Sequence, residues 1–83
     1  MILGRVKDML SDKELNKQIG AALREERKRR RYTLEYIGDV IGVSKSTVYL
    51  WESGRNGISA AMLKRYCEAL NITVSDIARI IKW

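Results

Sequence analysis

A short stretch in the middle of the chain places hydrogen-bond donors beside large apolar side chains on one helical face. Ser44 is a typical N-cap residue and Gly54 a typical helix stop, so the sequence predicts a helix over about 45–53. If Val48 and Trp51 face the core, the helical repeat turns the opposite face outward. That outer face would carry Lys45, Ser46, Tyr49, Leu50 and Ser53. Donors beside apolar groups suit the DNA major groove, where base-edge acceptors lie next to thymine methyl groups.

Two of these outward residues, Tyr49 and Leu50, also have a plainer interpretation. Single apolar residues are common on protein surfaces, and one of the two would then pack beneath a neighbouring segment. The two interpretations differ in the burial that they predict for Tyr49. A buried tyrosine would remove the proposed contact surface.

A second helix is predicted directly before this one, over 33–41. Thr33 is its N-cap, and Gly42 follows its last apolar residue, where a left-handed backbone ends the helix. Its inward stripe has the i, i+3, i+4, i+7 spacing of one helical face and consists of Leu34, Ile37, Gly38 and Ile41. Two helices joined by so short a turn must cross steeply, which predicts a helix-turn-helix.

Residues 33–55 resemble the helix-turn-helix of the lambda-repressor/Cro family of DNA-binding proteins. The matching run is T-x-x-x-I-G-x-x-I-G-V-S-x-S-T-V-x-x-W-E-S-G-R, and the likeness extends over roughly 19–81. The resemblance implies a compact all-α bundle of five helices whose third helix reads the major groove. The candidate base-reading residues are Lys45, Ser46, Tyr49 and Leu50. Lysine and serine are ambiguous here, because each also binds phosphate.

The resemblance also implies an ion pair between Arg27 and Glu52, which would tie the first helix to the end of the third. The alternative is that both side chains are solvated, where a pair contributes little. Two positions depart from the family pattern. Gly38 stands where alanine is usual and two helices approach closely, and Leu34 stands where a polar residue often holds a phosphate.

A basic run ends the first predicted helix, with six cations within residues 24–31. The helix dipole favours two or three positive charges at this end, but not six. We therefore expect compensation from outside the chain, and phosphates are the best candidate. Residues of this run and residues near the predicted helix over 45–53 are expected to contact phosphate. They are Arg24, Lys28, Arg30, Arg31, Thr33, Thr47, Arg55 and Asn56.

The remaining helices follow from caps and apolar spacing. The predicted spans are about 12–30, 59–70 and a last helix that begins at Thr73. Capping boxes mark the start of the first span, from Ser11 to Glu14, and of the last helix, from Thr73 to Asp76. Asn71, between the last two helices, is predicted to be left-handed. Residues 1–10 form a separate amphipathic appendage, an extra N-terminal helix before a domain over 11–83. Its apolar residues are Ile2, Leu3, Val6, Met9 and Leu10.

Composition narrows the function classes. The 83 residues carry a formal charge of +6. Residues 1–15 are neutral, so residues 16–83 hold the whole surplus, which suits a polyanionic partner. Histidine is absent and Cys67 is the single cysteine, so we expect no metal cluster, no cofactor and no catalytic triad. We expect a non-enzyme without a small-molecule substrate or a membrane partner, in the reducing cytoplasm of a bacterium or encoded by a phage.

Together these features predict a sequence-specific transcriptional regulator, a repressor that binds a palindromic operator on double-stranded DNA as a homodimer. The predicted dimer contact is the C-terminal helix, with the N-terminal helix as the second choice. The C-terminal contact residues are Ile77, Ile80, Ile81 and Trp83. Two alternatives remain: a protein-interaction module such as an antitoxin or adaptor, and sequence-independent nucleic-acid binding through the basic run.

Overall fold

The computed structural model describes residues 11–82 and contains five α-helices and no strand within that range. The helices are α1 (Asp12–Arg29), α2 (Leu34–Ile41), α3 (Lys45–Ser53), α4 (Ala60–Ala69) and α5 (Val74–Ile80). The predicted all-α fold class is confirmed. The predicted appendage over 1–10 and the side chain of Trp83 lie outside the described residues.

Each helix begins at a hydroxyl side chain that accepts a backbone N–H three residues further on. The five N-caps are Ser11, Thr33, Ser44, Ser59 and Thr73. At α5 the capping box is complete, because the Thr73 N–H also donates to Asp76 at 2.8 Å. At α1 the box is only half formed, since the Glu14 carboxylate accepts from the Ser11 hydroxyl instead of its backbone.

Left-handed residues end the helices. Gly42 and Gly54 have φ angles of 93° and 77°, as their positions after α2 and α3 require. Asn71 takes the predicted left-handed position after α4, with φ of 60°. Arg31 does the same after α1, with φ of 61°, although arginine is not a residue typical of this conformation.

The core is formed by one stripe from every helix. Val48 and Trp51 of α3 are buried in it, and Leu15 of α1 is only partly buried. The buried apolar residues are Ile19, Ala22, Leu23, Ile37, Val48, Trp51, Leu63, Tyr66, Cys67, Leu70 and Ile77. None of the described helices is long and apolar enough to cross a bilayer.

Two glycines allow backbones to touch. A Cβ atom on Gly20 would lie 2.3 Å from the carbonyl oxygen of Trp51, so α1 meets the α3 backbone directly at this residue. A Cβ atom on Gly38 would lie 2.5 Å from the carbonyl oxygen of Val43. The close approach expected at Gly38 is therefore present, but it is with the turn before α3, and this backbone would have to shift to accept the alanine usual in the resembling family.

Cys67 is predicted to be unreactive in the folded protein. Burial raises the pKa of its thiol to about 11, and the side chain is almost inaccessible. Native protein at neutral pH should not react with iodoacetamide, whereas protein unfolded in urea should take up one equivalent, as measured by mass spectrometry. Because folding favours the neutral thiol, its contribution to stability is complete below the unfolded thiol's pKa and falls as pH rises towards 11. Fast labelling of the native protein would contradict this burial.

Candidate nucleic-acid interface

The outer face of α3 is open to solvent. Trp51 is 7% exposed and Val48 is fully buried, whereas Tyr49 on the other side is 51% exposed. Lys45 and Ser46 are exposed as well, and Leu50 is half-buried. The plainer interpretation is thus wrong for Tyr49 and holds only in part for Leu50. The helix presents a lysine, a serine and a tyrosine side by side.

The N-terminus of α3 is fixed by its cap. The Ser44 hydroxyl accepts the backbone N–H of Thr47 at 3.1 Å and lies 3.0 Å from the Thr47 hydroxyl. At the start of α2, the Thr33 hydroxyl accepts from the backbone N–H of Tyr36 at 2.9 Å. Both threonine hydroxyls therefore already have an intrachain partner, and any phosphate contact must share it.

The C-terminal end of α3 is held by a buried ion pair. Arg27 donates to Glu52 twice, through Nε at 2.7 Å and Nη2 at 3.0 Å, and its Nη1 donates to the carbonyl of Tyr32 at 2.7 Å. The Tyr66 hydroxyl donates to the same carboxylate. The hydrogen bond to Glu52 raises the pKa of Arg27, and burial raises the pKa of Tyr66. The contact between Arg27 and Glu52 is therefore bidentate, and no buried side-chain nitrogen or oxygen of the described residues lacks a hydrogen-bond partner.

This network joins three helices at one carboxylate, with Arg27 from α1, Glu52 from α3 and Tyr66 from α4. The family resemblance implied the first two residues, and they are in contact. The apolar spacing of its helix predicts only a core position for Tyr66. The available signal was its hydroxyl, since a tyrosine on a buried helical stripe needs a hydrogen-bond partner.

The basic run is compensated inside the chain more than expected. Glu26 binds Arg30 at 2.9 Å and Arg29 at 3.1 Å, and Arg30 also donates to the Glu26 carbonyl. Compensation of the run from outside the chain was expected, but Arg29 and Arg30 pair with Glu26 inside it, and Arg27 makes the ion pair with Glu52 that the resemblance implied. The missed signal was the spacing, because Glu26 lies three and four residues before the two arginines.

Three cations of the run keep exposed side chains and make no ion pair with any residue that the structure describes. They are Arg24, Lys28 and Arg31. Arg30, a predicted phosphate ligand, is half-buried and occupied by Glu26, so it is the least available of the set.

A groove of about 390 Å³ connects the end of α1 with α3. It brings together Arg24 and Tyr49, two predicted contact residues, and Leu34 forms part of its wall. Its lining consists of Arg24, Arg27, Leu34, Tyr49, Glu52 and Ser53. After α3, Arg55 and Asn56 are exposed, and the Asn56 backbone is held by the carbonyl of Leu50 at 3.2 Å.

A family model described as helix-turn-helix matches residues 23–77, from the middle of α1 into α5. The chain belongs to this helix-turn-helix family. The match covers both helices of the predicted pair and the elements packed against them. In helix-turn-helix proteins the second helix of the pair is the one that enters the groove, and in this chain that helix is α3.

The helix-turn-helix relatives are named as regulators. The chain is 39% identical over 59 residues to a competence pilus inhibition repressor from Acinetobacter baylyi, covering 71% of this chain and 54% of the repressor. This chain thus spans about half the length of that relative. The clp gene regulator ClgR from Corynebacterium glutamicum is 31% identical with a TM-score of 0.79, over 82% of this chain and 72% of that structure.

A second solved structure shows the fold alone. It is the restriction-modification controller protein C.AhdI from Aeromonas hydrophila, at 24% identity and a TM-score of 0.72. The likeness covers 75% of this chain and 94% of that one. The five-helix arrangement of this helix-turn-helix chain is thus shared by regulators of low sequence identity.

Proposed function

We propose that this protein is a sequence-specific DNA-binding transcriptional regulator, a repressor that binds its operator as a homodimer with α3 in the major groove. The observation that carries the proposal is the orientation of α3 within a helix-turn-helix. Trp51 and Val48 are buried, so Lys45, Ser46 and Tyr49 form an exposed row on the outer face. We place the protein in the bacterial cytoplasm, where that DNA is found.

Each residue of the reader helix has a role that its chemistry supports. Lys45, at the first turn, donates to guanine O6 or N7, and Ser46 donates to a neighbouring base edge or phosphate. Tyr49 and the exposed part of Leu50 contact thymine methyl groups. The half-buried state of Leu50 makes Tyr49 the main apolar contact.

Phosphate contacts flank the reader helix. Arg24, Lys28 and Arg31 are the strongest candidates from α1, because no described carboxylate neutralises them. Arg55 and Asn56 contact the backbone from the loop after α3, and Thr33 and Thr47 from helix N-termini, where backbone N–H groups favour anions.

Dimerisation extends the site to two half-sites. One reader helix contacts only a few base pairs, and two copies one helical turn apart read a near-palindrome with half-sites about 34 Å apart. The C-terminal helix supplies an exposed apolar residue for this contact, since Ile80 is half-exposed beside a groove of about 760 Å³ between α1 and α5. Ile81 and Ile72 line the same groove. Ile77 is fully buried in its own core, so it supports α5 without reaching a partner.

Substitutions on α3 should reduce specific binding selectively. Lys45→Ala and Tyr49→Ala are each expected to weaken binding to the selected operator about tenfold, while affinity for scrambled DNA falls much less. Arg31→Ala is expected to weaken binding to both DNAs alike and to reduce the log–log salt slope by about one unit. Fluorescence anisotropy at several salt concentrations measures both effects.

The matched control is Lys64→Ala, which removes one exposed positive charge from α4, in a groove to which α3 contributes no residue. It should change neither the preference for operator over scrambled DNA nor the salt slope by more than a small amount. Equal losses on both DNAs for Lys45→Ala and Tyr49→Ala would contradict sequence-specific reading by α3 and favour sequence-independent binding.

A further inference from the structure

The loop that follows α3 contains an asparagine directly before a glycine. Asn56 and Gly57 are both exposed and lie outside the helices, between the end of α3 and the start of α4. Asn–Gly is the dipeptide in which the backbone most easily attacks the asparagine side chain, because glycine has no Cβ atom to shield its nitrogen. This reactive dipeptide lies next to Arg55, in the loop that we propose contacts phosphate.

The backbone nitrogen that would attack is not held in place. The N–H of Gly57 donates to no backbone carbonyl among residues 11–82, whereas the N–H of Asn56 donates to the carbonyl of Leu50 at 3.2 Å. Asn56 is therefore anchored on its N-terminal side, while no backbone hydrogen bond fixes the peptide that follows it. That peptide can rotate until the Gly57 nitrogen faces the side-chain carbonyl carbon of Asn56.

The two other asparagines of the chain lack this combination. Asn16 lies within α1, so the N–H of Lys17 takes part in the helical hydrogen bonds. Asn71 precedes Ile72, a branched residue whose N–H donates to the carbonyl of Cys67 at 2.9 Å. Attack at either position first requires local unfolding, so these two asparagines serve as internal controls.

We propose that Asn56 is a site of spontaneous deamidation that ends DNA binding by the modified chain, a consequence that rests on the proposed function. The backbone nitrogen of Gly57 forms a bond to the side-chain carbonyl carbon of Asn56. The bond from that carbon to the amide nitrogen breaks, and ammonia leaves with the proton of the Gly57 nitrogen. Water then opens the resulting cyclic imide at either carbonyl, which leaves aspartate or isoaspartate at position 56.

The modification places negative charge where DNA binding requires its absence. Asn56 and Arg55 are exposed after α3 and are proposed phosphate contacts. Replacing the amide by a carboxylate lowers the formal charge of +6 by one and sets an anion against the phosphate backbone. Isoaspartate also lengthens the main chain of the loop by a methylene group. Neither product removes a core residue, so DNA affinity should be lost while the fold is kept.

Incubation of the purified full chain at slightly alkaline pH tests the proposal. Peptide mass spectrometry should detect conversion of the Asn56 amide to an acid within days, at a rate at least about tenfold above that at Asn16 or Asn71. The modified chain, separated by ion exchange, should bind a random-sequence DNA duplex about tenfold more weakly, with a log–log salt slope lower by about one unit. Freshly prepared Asn56→Asp should show the same losses, and circular dichroism should show that all these chains remain folded.

Gly57→Ala is the matched control. The φ angle of Gly57 is not positive, and an added Cβ atom would lie 3.0 Å from the side-chain amide of Asn16, which can shift. This variant should deamidate several-fold more slowly and keep its DNA affinity through the same incubation. The random-sequence duplex, bound to the wild-type chain at low salt during incubation, should likewise protect Asn56.

The proposal would be overturned if Asn56 stayed intact, changed no faster than Asn16 and Asn71, or changed without loss of DNA affinity. Equal loss of affinity by aged wild type and aged Gly57→Ala would also overturn it, because other damage would then be responsible. The mass measurement needs no DNA, and unaged protein is assayed beside aged protein. A failure of the proposed DNA binding is therefore distinguished from a failure of the modification.

Discussion

Replacing Arg27 by alanine is expected to lower the free energy of unfolding by about 3–5 kcal/mol, because it leaves a buried carboxylate without its cation. Glu52, which is 6% exposed, would keep only the hydrogen bond that the Tyr66 hydroxyl donates to it. Domains of this size have a total stability of about 5–15 kcal/mol, so a large part of the fold's margin would be lost. Urea denaturation followed by circular dichroism measures the change.

Arg24→Ala is the matched control, since Arg24 lies one turn earlier on α1 and is exposed without an ion pair to any described residue. It should change stability by no more than about 0.5 kcal/mol. Replacing the whole network by apolar residues of similar size, as Arg27→Met with Glu52→Leu and Tyr66→Phe, should recover most of the loss. If Arg27→Ala lowered the free energy of unfolding by less than about 1 kcal/mol, the pair would contribute no more than a solvated pair, which would contradict this account.

Gly20→Ala is expected to destabilise the protein by about 3 kcal/mol, because the added methyl group collides with backbone atoms that cannot rotate away. The new Cβ atom would lie 2.3 Å from the carbonyl oxygen of Trp51 and 2.6 Å from that of Glu52. Relief requires α1 and α3 to separate. Thermal and urea unfolding of the variant give the size of the effect.

The sign of the stability change shows whether α3 contacts Gly20. At an open helical position, alanine stabilises by about 1 kcal/mol relative to glycine, whereas at a backbone contact it destabilises. Ala21→Gly, at the exposed neighbouring position, is the matched control and should cost about that amount. If Gly20→Ala instead raised stability by a similar amount, the backbone contact between α1 and α3 would be contradicted. Because α3 carries the proposed reading residues, Gly20→Ala should also weaken operator binding at temperatures where the variant remains folded.

The helices were predictable because their ends are encoded locally. Ser44 and Gly54 mark the limits of α3 in the sequence, and the structure begins and ends that helix beside them. Thr73 with Asp76 marks the start of α5 in the same way. The outward direction of Tyr49 followed from periodicity, because burying Val48 and Trp51 leaves one orientation for the helix.

What the sequence missed depends on contacts between distant parts of the chain. Gly20 lies in the interior of α1, where glycine is unfavourable, and only the approach of α3 explains it. Tyr66 looked like a core residue, since its partner Glu52 lies 14 residues away on another helix. Glu26 was the exception, because its pairing with Arg29 and Arg30 is local and helix spacing would have indicated it.

The fold holds α3 at both ends and leaves its middle free. Ser44 fixes the N-terminal turn, and Arg27 with Tyr66 fixes Glu52 near the C-terminus. Between these points Tyr49 faces solvent. A rigid helix with an open centre keeps donors in a fixed register, which reading base edges requires.

Selection of bound sequences from random double-stranded DNA tests the proposed reading of DNA most directly. The wild-type chain should enrich a near-palindromic motif whose half-sites lie about 34 Å apart, and the enrichment should weaken at specific positions for Lys45→Ala and Tyr49→Ala. Recovery of unrelated sequences by a folded wild-type chain, with no motif and no dependence on these two residues, would contradict it.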